Sequence, residues 1–174
     1  MMKQRSPWQR THTCGELNLA HQDQEVVLNG WIENHRHHGQ LVFLDLRDRY
    51  GVTQVVVDQE ATGMAAGTFD IVRRLGAEDV ISVKGRVRAR DADKQNKNRA
   101  TGEIELVALL VTVLSEAETP PFEVLDKAEA NEELRMQYRY LDLRRRPLQE
   151  ALQKRARFTT AVRNFLHENR FIDI

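Results

Sequence analysis

Apolar and polar side chains alternate along residues 25–58 with the period of two expected of strands that bury one face. Over 25–37, Val26, Leu28 and Ile32 alternate with Asn29, Trp31 and Glu33, and Gly30 predicts a bend or bulge where a strand turns a barrel corner. Gly39 closes a first hairpin onto a second strand, 41–47. The turn Asp48-Arg49-Tyr50-Gly51 leads to a third, 52–58, with a positive φ expected at Gly51. Residues 68–75 read as a short helix ended by Gly76, followed by strands over 80–90, with Gly85 inside, and 103–114. Five short strands with one helix between the third and fourth predict a mainly β protein, a five-stranded oligonucleotide-binding (OB) Greek-key barrel.

The pattern changes after Leu114. The run SEAETPPFEV, with Pro120-Pro121, reads as an extended linker. Asn131 is placed to cap a helix over 132–143, with acids in its first turn and arginines near its end. Pro147 suits the start of a second helix, to about Asn169, in which Leu148, Leu152, Phe158, Val162, Phe165 and Leu166 lie near helical spacing. Phe171-Ile172-Asp173-Ile174 reads as the opening of a strand. The expected organisation is a barrel over 1–114, a hinge with a short helix over 115–146, and the beginning of another domain over 147–174. An apolar helix face followed by an unfinished strand needs a partner, so the chain reads as an amino-terminal piece.

The chemistry suggested by this pattern is binding. On the second strand Val42, Leu44 and Leu46 form an aliphatic face, which leaves Phe43 and Asp45 on the other. An aromatic on a polar face either packs across strands or stacks an unpaired base. Gln54 on the third strand can offer donor and acceptor together to a base edge, and Arg36 can pair with a base or phosphate, or stack. The loop 91–102, with DKQNKNR at its tip, is either a solvated hairpin end or a nucleic-acid contact. Asp45, Arg47, Asp48 and Arg49 read as surface ion pairs rather than acid–base machinery. His35, His37 and His38 lack the spacing and companions of a metal shell. No nucleophile–base set or glycine-rich phosphate loop is visible, and Arg144, Arg145 and Arg146 suit either a phosphate or a helix carboxy terminus.

Composition narrows the partner. The 174 residues carry 26 acids and 26 bases, so a nucleic acid would have to be met by a local patch rather than a global positive field. That disfavours a non-specific coat protein, whose affinity comes from phosphate neutralisation. The single cysteine, Cys14, forms no internal disulfide and points to a reducing compartment. The segment MMKQRSPWQR lacks the apolar run of a secretory signal, and no stretch is long enough to span a bilayer, so the expected location is cytoplasmic.

Three segments then add a resemblance: GWIENHRHHGQLVFLDLRDRYGVTQVV, GRVRARDADKQNKNRATGEIEL and EELRMQYRYLDLRRRPLQ, in this order and at these separations. Together they resemble the amino-terminal part of bacterial-type aspartyl-tRNA synthetases, over nearly the whole chain from about Thr11. Lysyl- and asparaginyl-tRNA synthetases share the barrel, while the RARD…ATGEIE hairpin and YRYLDLRRR point to the aspartate branch. The resemblance implies an anticodon-binding barrel in which Phe43 stacks on the central uridine with Gln54 and Arg36 as polar partners, and Glu105 and Arg90 lie near the anticodon. His37 and His38 depart from the family pattern beside that site, which leaves the separation of tRNA(Asp) from tRNA(Asn) open. The helix from Pro147 and NRFIDI resemble the opening of class II motif 1, which builds a homodimer interface in that family. Motifs 2 and 3 are not in the chain, so the ATP- and Mg²⁺-dependent joining of aspartate to tRNA belongs to the parent enzyme, and no catalytic residue or cofactor is assigned to this piece. The rival readings are a general single-strand-binding barrel, which would favour a basic groove with several aromatics, and a protein-interaction barrel anchored by Phe43.

Overall fold

The apolar alternation produces five strands: β1 (Glu25–His38), β2 (Leu41–Arg47), β3 (Val52–Asp58), β4 (Val80–Ala89) and β5 (Ile104–Ser115). A computed structural model of the chain describes residues 9–127 and 129–172. The strands close in the order β1-β2-β3-β5-β4, antiparallel except for the β3–β5 pair. This is the expected OB barrel. Closure pairs every edge, and the inward residues of each strand, among them Leu28, Ile32, Leu44, Val55, Ile81 and Leu106, are wholly buried.

The register of β1 decides what faces outward. Ile32 pairs with Leu46, but Asn34 pairs with Asp45 and Arg36 with Phe43, so the register shifts by one residue between Ile32 and Asn34. One extra residue reverses the parity of a strand. Without it, Asn34 and Arg36 would follow Leu28 and Ile32 into the core; with it, they join Phe43 and Asp45 outside. The bulge therefore sits at Glu33 and not at Gly30, where the sequence suggested it. Gly30 meets a different need: a Cβ there would lie 2.4 Å from the Arg47 carbonyl oxygen. Of the two shifts between β4 and β5, the one between Lys84 and Gly85 falls where β4 carries its glycine.

Turns differ from expectation in instructive ways. Gly39 has φ +60° in the β1–β2 hairpin, whereas Gly51 is absent from the positive-φ residues. Gly51 is needed for close approach, because its Cβ would stand 2.6 Å from the Cα of Gly15. The Asp48 carboxylate ties that junction together, accepting from the backbone N–H of Tyr50 (2.7 Å) and Gly51 (3.0 Å) through Oδ1 and of Cys14 (2.9 Å) through Oδ2. Asp48 is thus a buried structural anchor as well as an ion-pair member, its Oδ2 lying 3.7 Å from Nη1 of the half-exposed Arg10. Burial drives the Cys14 thiol far above its usual range, with the Asp48 charge adding to the effect, so it stays protonated.

Helix α1 (Thr68–Val72) is shorter than predicted. Its continuation is a turn held by Asp79, whose Oδ2 accepts from Gly76 N–H at 2.7 Å and whose Oδ1 accepts from Ala117 N–H at 2.7 Å. Phe69, Val72 and Leu75 add to the barrel core. His35 Nδ1 donates to the Leu75 carbonyl at 2.8 Å, and burial holds its imidazole below the usual value.

The chain divides at Pro120/Pro121 into two compact units. In the second, Asn131 caps α2 (Glu132–Gln137) by accepting from Leu134 N–H at 2.9 Å. The single helix expected over 132–143 is broken at Tyr138 (φ −107°, ψ 47°), and α3 (Arg139–Asp142) follows. The break accompanies packing of Leu134, Tyr138 and Leu141 with Phe122 and Val124. Asp142, wholly buried, accepts from Arg139 (2.5 Å) and Arg145 (2.7 Å), and Arg145 also donates to the carbonyls of Leu125 (2.8 Å) and Asp126 (2.7 Å). These bonds commit Arg145 to structure. Helix α4 (Arg146–Glu168) starts with Pro147 in its first turn and buries none of its residues; Phe158 and Phe165 are 70% and 64% exposed. Phe171 and Ile172 form no strand, and Asp173 and Ile174, like most of the MMKQRSPWQR segment, lie outside the described residues.

Candidate nucleic-acid interface

The outer face of β1, β2, β3, β5 and β4 collects the polar residues that alternate with the core. Phe43 sits on it, half-buried, between Arg36 of β1 and Val56 of β3 in the strand register. The His38 ring meets the Phe43 ring edge-on, centroids 5.7 Å apart at 74°. Such a contact fixes the ring edge and leaves a face for stacking.

Next along β2 is Asp45, 2% exposed, and the most heavily bonded side chain of the face. Its oxygens accept from Arg99 Nη1 (2.7 Å) and Nη2 (3.0 Å), Asn34 Nδ2 (3.1 Å) and Arg36 Nη2 (3.4 Å). Burial pushes the Asp45 carboxyl up, but the Arg99 bonds and charge, the Asn34 amide and the Arg36 charge outweigh it and hold the group below the usual carboxylate range. The same pair raises Arg99 further. The aspartate read as a surface ion-pair residue is therefore the buried floor of the face.

Gln54 pairs in register with Asp45, diagonal to Phe43 rather than beside it. It is 9% exposed, and its Nε2 donates to Glu105 Oε2 at 3.2 Å. Glu105 Oε1 accepts from Arg88 Nε (3.0 Å) and Nη2 (2.6 Å). Because an ionised carboxylate only accepts, the amide must turn its nitrogen to Glu105, which leaves its oxygen and second N–H for a ligand. Arg90, two residues beyond Arg88, donates its backbone N–H to Glu103 at 2.8 Å, and its Nε is buried without a hydrogen-bond partner.

The structure thus gathers Arg36, His38, Phe43, Gln54 and Glu105 on one face, with Arg90 at the end of β4. Sequence reasoning gave no site role to Asn34 or Arg88, read Asp45 only as an ion-pair residue, and included Arg99 only as part of the loop tip. Alternation along GRVRAR could have nominated Arg88 with Arg90. Nothing local could have nominated Arg99, which reaches Asp45 from 54 positions away. Among the described residues no group of three His, Cys, Asp or Glu side chains could hold a metal, and no helix is long and apolar enough to cross a membrane.

A closed five-stranded barrel with an aromatic and an amide on its β2–β3 face is the architecture of an oligonucleotide-binding domain. Residues 26–114 match the family described as OB-fold nucleic acid binding domain, and the chain belongs to it. Residues 131–174 match tRNA synthetases class II (D, K and N). The chain is 49% identical over 166 residues to the aspartate–tRNA(Asp/Asn) ligase of Treponema denticola, covering 95% of this chain and 28% of that protein. It is 43% identical over its full length to the ligase of the same name from Thermoanaerobacter pseudethanolicus, of which it spans 29%. Among solved structures, the aspartyl-tRNA synthetase of Entamoeba histolytica superposes with a TM-score of 0.80 at 20% identity, over 90% of this chain and 37% of that one, a likeness of fold.

Proposed function

We propose that the barrel grips splayed anticodon bases of tRNA(Asp), with tRNA(Asn) as the alternative partner, and so positions tRNA for an aspartate–tRNA ligase. The observation that supports this most directly is the Phe43 ring on the outer face, beside hydrogen-bonding side chains already oriented by their neighbours. Phe43 stacks the central base. Gln54, its nitrogen held by Glu105, offers an acceptor and a donor that complement the N3–H and a carbonyl of uracil; cytosine, whose N3 accepts, would oppose the Gln54 oxygen. Arg36 pairs with base or phosphate, and Arg90 and His38 flank the site. Base contacts of this kind give a selectivity that phosphate contacts cannot.

In this reading residues 1–114 are the anticodon-binding domain, 115–146 the hinge and 147–174 the start of the catalytic domain. The whole enzyme, a cytoplasmic homodimer, activates aspartate with ATP and Mg²⁺ and esterifies tRNA with it. No step through ATP or Mg²⁺ is assigned to residues of this chain.

The test is a titration of anticodon stem-loops that differ at the central base, at fixed salt. Tighter binding of the uridine loop is expected. Equal affinity for every loop, with a steep salt dependence, would instead mark a general single-strand binder.

A further inference from the structure

The loop from β4 to β5, residues 90–103, is a folded unit in the free protein. Asn96 N–H donates to Gly102 at 3.1 Å, Arg99 N–H to Asn96 at 3.1 Å and Gly102 N–H to Arg99 at 3.0 Å. A Cβ at Gly102 would stand 1.8 Å from the Asn96 carbonyl oxygen, so the loop closes on itself too tightly for any side chain there. Two residues tie it to the barrel: Thr101 Oγ1 donates to Val52 O at 2.5 Å, and the Arg99 fork grips both oxygens of Asp45. The second of these lands on the proposed base-binding face, two residues along β2 from Phe43.

Asp45 treats its two arginines unequally. Arg99 makes two contacts, at 2.7 and 3.0 Å, and is 27% exposed; Arg36 makes one contact at 3.4 Å and is 52% exposed. A bidentate guanidinium–carboxylate pair is the stronger and geometrically more demanding arrangement. Arg99 is therefore spent on Asp45, while Arg36 is held loosely enough to turn to a ligand.

We propose that Arg99 and Asp45 form a latch that holds the 90–103 loop as a preformed wall of the base-binding face, making both positioning residues for RNA recognition. The inference rests on the anticodon-binding reading and adds to it a residue pair and a division of labour. Ordering the loop before the ligand arrives removes an entropic cost from binding. Since Arg99 is neutralised by Asp45, it acts through geometry and not by contacting phosphate.

A double-mutant cycle on the full chain tests this, with Arg99→Gln, Asp45→Asn and the double variant titrated against the uridine-centred stem-loop. Melting and amide exchange of residues 92–102 are followed in parallel. Each single variant is expected to weaken binding about tenfold, and the double variant no more than the worse single one, because the latch is already open. Loop amides should lose protection in all three. The salt slope of the double variant should match wild type, since equal and opposite charges are removed; a slope reduced by about one would make Arg99 a phosphate contact and overturn the latch. Binding unchanged in Arg99→Gln, or losses that add, would also overturn it, even if melting falls. Arg99 lies in a loop, so that variant remains decisive should Asp45→Asn fold poorly. A wild-type chain with no base preference would refute the underlying reading, whereas a selective wild type with an Arg99→Gln variant that binds equally tightly refutes the latch alone.

Discussion

Truncating Phe43 to alanine separates a ring that binds from a ring that holds the barrel together. In a buried core, Phe→Ala costs about 3–5 kcal/mol of stability. Phe43 is not in that core: its strand neighbours Val42 and Leu44 are 0% exposed on the inner face, while the ring lies half-exposed on the outer one beside His38, Arg36 and Val56. What it gives the fold is cross-strand packing, about 0.2–1 kcal/mol. A ring stacked on a base contributes about 1–3 kcal/mol to binding, or roughly 5- to 150-fold in Kd. Phe43→Ala should therefore weaken stem-loop binding by that factor while lowering the melting temperature by only a few degrees, since about 1 kcal/mol corresponds to roughly 4–8 °C in a domain near this size. Leu44→Ala, one position away and fully buried, should reverse the pattern, with a stability loss of about 2–5 kcal/mol. The assays are fluorescence titration of labelled loops and thermal melting on the same samples. The reasoning is refuted if Phe43→Ala binds as wild type, or if it destabilises the barrel as much as Leu44→Ala does.

Further expectations follow from neighbouring contacts. Glu105→Gln replaces a pure acceptor with an amide, freeing Gln54 to flip, so the preference for uracil over cytosine at the central base should shrink in competition titrations. His35 is held neutral by burial, so the folded state takes up its proton less readily than the unfolded chain. Its contribution is intact above the ordinary imidazole value of about 6.5 and is lost as pH falls from there through the lowered folded value; melting scans from pH 8 to 5 should show that decline, and His35→Gln should flatten it. Helix α4 buries no side chain, so its amides in dilute solution should exchange faster than those of β2 and β3; equal protection would contradict the view that it awaits a partner.

The sequence by itself determined the strands, their number and the aliphatic face of β2, because a period of two in burial is a local property of the chain. It also determined that Phe43 would lie opposite Val42 and Leu44, and that Gly39 would turn a hairpin. The resemblance carried by GWIENHRHHGQLVF and RARD…ATGEIE narrowed the expected partner from an unpaired base to a tRNA anticodon. Tertiary structure alone decided the rest. The extra residue at Glu33 turns Arg36 and Asn34 outward, a parity that depends on how β1 is registered against β2. The orientation of Gln54 depends on a carboxylate brought to it across a parallel pairing of β3 with β5. Asp45 reads as surface charge in any local window, yet becomes a buried floor because Arg99 folds over it from a distant loop. Periodicity says which way a side chain points; what it meets there is set by segments the chain brings back from far along its length.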